Sequence, residues 1–199
     1  LASNILSITL TQRRSKAGES GMPMCGVPFH AAEGYIAKLI KSGNKVALCE
    51  QIETPQQAKK RGGAKALVKR DVVRLYTSGT LTEDSMLKAE ENNYLAAISV
   101  LGADIALSWM DVSTGEFLVA EGSTEYIDKL LQSFAPAEII FQKKHKILFE
   151  DSFGKGHYTY TLEDWVFTQE FSEDVLLKHF QTKSLKGFGV EDYQNGVVA

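Results

Sequence analysis

Arg13 and Arg14 stand side by side with Lys16 close behind, in a stretch from residue 12 to 26 that is rich in Gly, Ser and charge. An exposed arginine pair suits phosphate or minor-groove contact, because each guanidinium offers a planar fork of donors and keeps its charge at physiological pH. A second basic cluster, Lys59, Lys60, Arg61 and Lys65, brackets Gly62 and Gly63. There it would add a salt-sensitive, sequence-blind attraction to a polyanion. In both places a solvated loop is the competing reading.

The carboxylates raise a different chemistry. Asp111-Val112-Ser113-Thr114-Gly115 ends one apolar stretch and Glu138 opens another. Nucleases of the ribonuclease-H-like fold cluster several acids around two Mg²⁺ ions roughly 4 Å apart, and their first strand supplies one of them. Here the corresponding strand, residues 94–101, has no acid, and Ser113 to Gly115 is what a hairpin turn requires. The turn is the favoured reading. A Mg²⁺-dependent nuclease or junction resolvase using Asp111 and Glu138 is the rival.

Other chemistries lack their motifs. There is no G-x-x-x-x-G-K-[ST] phosphate loop, no G-x-S-x-G elbow and no H-E-x-x-H. His30, His145, His157 and His179 are scattered without metal-ligand spacing. Gly187-Phe188-Gly189 starts like a dinucleotide fingerprint, but Asp192 stands where the third glycine belongs, so a turn is expected. No catalytic residue and no metal or cofactor of its own is expected in this chain.

The whole chain sets the frame. Its 199 residues, 44% hydrophobic and 24% charged, suit one large or two small globular domains. No run approaches the ~20 apolar residues of a membrane helix, and no secretory pattern opens the chain. Two cysteines, Cys25 and Cys49, are too few for a disulfide framework. A reduced, cytoplasmic protein is expected. The net charge of −3 conceals an asymmetry: residues 1–82 carry 13 Lys+Arg against 5 Asp+Glu, a balance of +8, leaving 9 against 20, or −11, in residues 83–199. Such a split points to a polyanion-binding part joined to one that is not.

The elements that position these residues follow from periodicity. Leu6, Ile8 and Leu10 alternate, predicting a strand over residues 4–11. Residues 12–26 are a loop. Tyr35, Ile36, Leu39 and Ile40 share one face of a helix over 31–41, with Gly43 for its C-cap. Residues 46–52 are a strand, and Thr54-Pro55 is an N-cap with a first-turn proline. The adjacent glycines make residues 59–65 a mobile basic hairpin loop or disordered tip, and 67–77 the next strand. Ser78 to Thr80 turns the chain, and residues 83–93 are a short helix or linker. Strands at 94–101, 105–111 and 116–121 are spaced as an antiparallel meander. A helix over 124–134, strands at 138–141 and 158–162, and a helix over 172–180 complete the order. Three antiparallel strands followed by alternating helices and strands is the order of a ribonuclease-H-like domain, by analogy alone.

Several ordered segments carry a family resemblance. Ser7-Ile8-Thr9-Leu10-Thr11-Gln12-Arg13-Arg14 resembles the strand-and-loop of the MutS mismatch-recognition domain. Met22-Pro23-Met24-Cys25-Gly26-Val27-Pro28-Phe29-His30-Ala31 is similar to that family's P-M-x-G-x-P-x-H-A segment. Val46-Ala47-Leu48-Cys49-Glu50-Gln51, Val72-Val73-Arg74, Thr77-Ser78-Gly79-Thr80-Leu81, Asn93-Tyr94-Leu95-Ala96-Ala97-Ile98, the segment from Asp111 to Phe117, and Lys186-Gly187-Phe188-Gly189-Val190-Glu191 continue it in order. The resemblance covers almost the whole chain.

The resemblance implies an α/β chain of two domains. A mixed-sheet mismatch-recognition domain would occupy residues 1–82, a linker 83–92, and a ribonuclease-H-like connector without nuclease activity 93–199, ending inside the connector. The family's F-x-E reading motif would lie upstream of Leu1. Phe171-Ser172-Glu173 spells it only by coincidence, amid acids that would repel phosphates. Mismatched duplex DNA would be the ligand, with Arg13, Arg14, Met24, Pro28, His30, Lys59, Lys60 and Arg61 on the DNA-binding side. His30 has an alternative as a helix-start residue, and Met24 and Pro28 as loop packing. Full-length members form clamp-like dimers, use ATP and Mg²⁺ in a distant domain, and engage a MutL-like protein through the connector. A protein-interaction module without DNA affinity is the remaining alternative.

Overall fold

In a computed structural model, which describes residues 1–13, 21–63, 65–88, 91–102 and 104–199, the alternation of Leu6, Ile8 and Leu10 does not build a strand over residues 4–11. A short helix α1 (Ala2–Leu6) takes its place, stopped by Ser7 in the left-handed region at φ 54°. Leu6 is buried where α1 meets the next helix, whereas Leu10 is 60% exposed. Period-two alternation needs a neighbouring strand to accept its ladder, and none pairs with residues 4–10 among the described residues. A helix closes its own hydrogen bonds.

Of the expected loop over 12–26, residues 14–20 lie outside the described residues, and the two ends that are described pair with each other. β1 (Thr11–Arg13) and β2 (Met22–Met24) form an antiparallel ribbon in the register Thr11↔Met24, Gln12↔Pro23 and Arg13↔Met22. A 3₁₀ turn, Phe29–Ala31, then leads into α2 (Ala32–Lys41). Ile36 and Ile40 are buried and Tyr35 and Leu39 half-buried, as the spacing requires. Gly43, at φ 76°, closes the helix: its N–H donates to the Ile40 carbonyl at 2.8 Å and Asn44 N–H to Leu39 at 3.1 Å.

β3 (Val46–Gln51) pairs antiparallel with β4 (Arg70–Tyr76), with a bulge beside Leu48 and Cys49. Between them residues 59–62 are not a loop. They form the last turn of α3 (Pro55–Gly62), which is capped by Gly63 at φ 78°. Thr54 and Gln57 form a reciprocal capping box, with Gln57 N–H donating to Thr54 Oγ1 and Thr54 N–H to Gln57 Oε1. Lys59, Lys60 and Arg61 sit in the last turn, where cations oppose the negative end of the helix dipole. The paired glycines therefore mark a helix terminus. Residues 83–93 hold no helix among the described residues, only a turn at 84–86.

These elements form one unit, Leu1–Ser78 with Asp84–Met86; Gly79–Glu83 with Leu87–Ala199 form the other. In the second unit a five-stranded sheet runs in the order β7-β6-β5-β8-β9. β5 (Tyr94–Leu101), β6 (Asp104–Asp111) and β7 (Glu116–Gly122) make the expected antiparallel meander. β8 (Glu138–Gln142) then lies parallel to β5, and β9 (Thr159–Leu162) parallel to β8. β5 is central and apolar on both faces, as a strand covered on both sides must be.

One sheet face carries the main core: Tyr94, Ala96, Ile98, Leu107, Trp109, Ile139 and Phe141 pack under α4 (Thr124–Phe134) and α5 (Lys146–Phe153). α4 starts at Ser123, whose hydroxyl accepts from Tyr126 N–H, and stops at left-handed Ala135. The other face is lined by Ala97, Ala106 and Ser108, small enough for α7 (Gln194–Val198) to lie close. Asn195 donates to the carbonyls of Ser99 and Asp104, and α7 packs on α6 (Gln169–His179). The architecture is mixed α/β with three sheets among the described residues. No helix among them is long and apolar enough to cross a membrane.

Candidate nucleic-acid interface

Arg13 ends β1 opposite Met22, so the ribbon carries it to the edge of residues 14–20. Arg14 and Lys16 lie outside the described residues. Thr11 Oγ1 donates to the Met24 carbonyl at 2.9 Å and ties the other end. From Met24 the chain runs past half-buried Cys25 through exposed Pro28, the N-cap residue of the 3₁₀ turn, to exposed His30 within it. Arg13, Met24, Pro28 and His30 thus belong to one continuous ribbon-turn-helix segment.

Lys59, Lys60 and Arg61 come from a different place, the last turn of α3, and their situations differ. Lys59 and Lys60 are exposed. Arg61 is engaged: Nη2 donates to Glu53 Oε1 at 2.7 Å and to the Leu67 carbonyl at 3.0 Å, and Nε to Glu53 Oε2 at 3.3 Å. Glu53 also accepts from Lys69 N–H at 2.7 Å. The Arg61 guanidinium first, and the Lys69 N–H second, hold the Glu53 carboxyl below its usual range, and Arg61 is raised in return. Glu53 is not legible as a partner in the sequence, because residues eight apart are not contact neighbours within a helix or a strand.

Phe29 was passed over as well. Its ring is 90% exposed, in a segment whose sequence draws attention to Met24, Pro28 and His30 instead. A solvent-facing phenylalanine forgoes about 2 kcal/mol that burial would supply, and exposure was the one property that sequence spacing does not report.

The rival carboxylate site does not assemble. Asp111 is paired with Tyr94 and Glu138 with Leu95. Consecutive residues of β5 point to opposite faces, so the two acids lie on opposite sides of the sheet. Both are buried in structural roles. Asp111 accepts from Ser113 Oγ at 2.6 Å and from the N–H groups of Ser113, Asn93 and Thr114. Burial pushes its carboxyl up, but these hydrogen bonds together outweigh burial and hold it below the usual range. Glu138 accepts from Gly79 N–H at 3.2 Å. No group of three or more potential metal ligands occurs among the described residues. The hairpin turn at 111–115 is as expected.

The two other sequence decoys resolve as turns and packing. Gly189, at φ 70°, caps a single 3₁₀ turn, Lys186–Phe188. Phe171 lies in α6 with its ring edge-on to Trp165 at 4.9 Å between centroids.

Comparison with known proteins decides the family. Residues 1–85 match the family model of MutS domain I and residues 93–199 that of MutS domain II. The chain belongs to the MutS family. It is 47% identical over 199 residues to the DNA mismatch repair protein MutS of Phocaeicola vulgatus, covering all of this chain and 22% of that protein. It is likewise 46% identical over 199 residues to the protein of the same name from Bacteroides thetaiotaomicron, and 44% identical over 198 residues to that from Cytophaga hutchinsonii, with the same coverage. This MutS-family chain therefore spans about a fifth of the length of those relatives. The domain I match contains the β1–β2 ribbon, the Phe29 turn, α2 and α3; the domain II match contains the five-stranded sheet.

Proposed function

We propose that this chain is the mismatch-recognition and connector portion of a bacterial MutS-like protein, and that it acts in DNA mismatch repair by binding duplex DNA through residues 1–82. The observation that carries this reading is a coincidence of charge with family: the part similar to MutS domain I, residues 1–85, carries 13 Lys+Arg against 7 Asp+Glu, a balance of +6, while residues 86–199 carry 9 against 18, a balance of −9. Arg13, Arg14, Lys59 and Lys60 contact phosphates, and Met24, Pro28 and His30 line the same side. Arg61 serves the contact indirectly, by holding α3 in place through Glu53.

In this reading residues 93–199 are a ribonuclease-H-like connector. The sheet order, with a three-strand antiparallel meander followed by two parallel strands, supports that assignment, and the separation of Asp111 from Glu138 by the sheet speaks against nuclease activity. The connector relays to ATPase domains and a MutL-like partner; ATP, Mg²⁺ and homodimerisation belong to the full-length, cytoplasmic protein. Discriminating a mismatch calls for an inserted aromatic wedge, which exploits the lower unstacking cost of a mismatched step, and residues 1–82 contain no F-x-E motif.

Fluorescence anisotropy of matched and singly mismatched duplexes at low and moderate salt tests the reading. Weak, salt-sensitive binding without mismatch preference, lost on reversing Arg13 and Arg14 to Glu, is the expected result. Binding indifferent to that reversal would remove the site assignment.

A further inference from the structure

Met22, Pro23, Met24, Val27, Pro28 and Phe29 are apolar and lie within eight positions, and every one of them is exposed. Phe29 is the most exposed large apolar side chain among the described residues. Single exposed apolar residues are ordinary, but a contiguous run of them marks a contact surface.

Charge narrows what that surface contacts. No Asp or Glu lies between Gly21 and Ala32, and the first acid beyond, Glu33, is engaged by the Ser85 hydroxyl at 3.2 Å. The surrounding residues 1–82 are basic by eight charges. A protein partner with a basic face would be repelled there, whereas duplex DNA offers phosphates around a groove walled by sugars and base edges. Apolar side chains press into that groove in many minor-groove binders.

The local backbone fixes the point from which the ring projects. Pro28, at φ −62° and ψ 138°, sets the entry angle, Ala31 N–H closes the turn on the Pro28 carbonyl at 3.0 Å, and α2 follows directly. A ring fixed at the start of a helix loses less freedom on binding than one on a loose tip. The first turn of α2 carries Glu33, whose carboxylate offsets the partial positive charge of the helix start, so the attraction for phosphates comes from the basic side chains of residues 1–82.

We propose that Phe29 is an apolar contact to duplex DNA, packing on sugars and base edges of the minor groove while cations of residues 1–82 hold the phosphates. This rests on the reading of residues 1–82 as the DNA-facing part. The ring adds affinity without counterion release, which separates its contribution from that of the arginines.

The test is duplex affinity across about 50 to 200 mM salt for the full chain and for its Phe29→Ala, Phe29→Trp and Arg13→Glu variants. Phe29→Ala is expected to weaken binding about tenfold at every salt concentration, with the slope of log affinity against log salt unchanged. Phe29→Trp is expected to retain affinity, with tryptophan emission that responds to duplex beyond any response of the parent chain. Arg13→Glu is expected to flatten the slope. If Arg13→Glu weakens binding and Phe29→Ala does not, the proposal is overturned and the DNA-facing reading stands. A slope changed by Phe29→Ala also overturns it, since the ring would then act by placing cations. If the parent chain binds no duplex, both fall together.

Discussion

Arg61 grips Glu53 across the connection between β3 and β4, with Nη2 2.7 Å from Oε1 and the same nitrogen 3.0 Å from the Leu67 carbonyl. Glu53 in turn receives the Lys69 N–H. One guanidinium thus pins both ends of the excursion that carries α3. The geometry uses the planar fork of arginine, which a lysine of equal charge cannot reproduce.

Arg61→Lys is therefore expected to lower thermal stability and speed amide exchange at Lys69 while keeping net charge. Hydrogen exchange at that amide is the direct readout. Unchanged protection there would show that the pair is incidental.

Acid should unfold the second unit through Asp111. Its folded pKa is depressed, so its contribution is present above the unfolded value and is lost as pH falls through the folded one. Asp111→Ala is expected to cost about 3 kcal/mol at neutral pH, the scale of hydrogen bonds to a buried charge. Asp111→Asn should cost less, and both should flatten the acid limb of the stability curve. A parent-like acid limb in Asp111→Asn would assign acid sensitivity elsewhere.

Close packing of α7 makes a third expectation. A Cβ at Gly196 would lie 2.6 Å from Val119 Cγ2, so Gly196→Ala should destabilise by about 1–3 kcal/mol through overpacking. Pairing it with Val119→Ala should recover much of the loss in a double-mutant cycle. Additive losses would mean the helix can shift.

Titrating Mg²⁺ or Mn²⁺ into the chain with duplex or branched DNA should give no cleavage, since the sheet holds Asp111 and Glu138 apart. Cleavage abolished by Asp111→Asn would restore the nuclease reading.

The second unit was far more legible than the first. The helix over 124–134 and the strand over 94–101 lie where periodicity put them, because each buries its apolar face against the same sheet. α5 and α7 were missed: α5 has apolar residues around most of its circumference, and α7 is one short turn held by Asn195 and Gly196. In the first unit, local patterns misled wherever a partner was needed to realise them. Leu6, Ile8 and Leu10 alternate without a strand among the described residues to pair with, and Gly62-Gly63 end a helix rather than making a loop. The basic residues were visible in the sequence; which of them is engaged was not, because Glu53 and Arg61 meet only once α3 has folded back.

Amide hydrogen exchange of the full chain with and without a short duplex tests the central claim most directly. Protection confined to residues 11–41 and to α3, with β5 to β9 unchanged, is the result this account requires. Protection centred on the five-stranded sheet, or on α6 and α7, with none in the ribbon and the Phe29 turn, would contradict it.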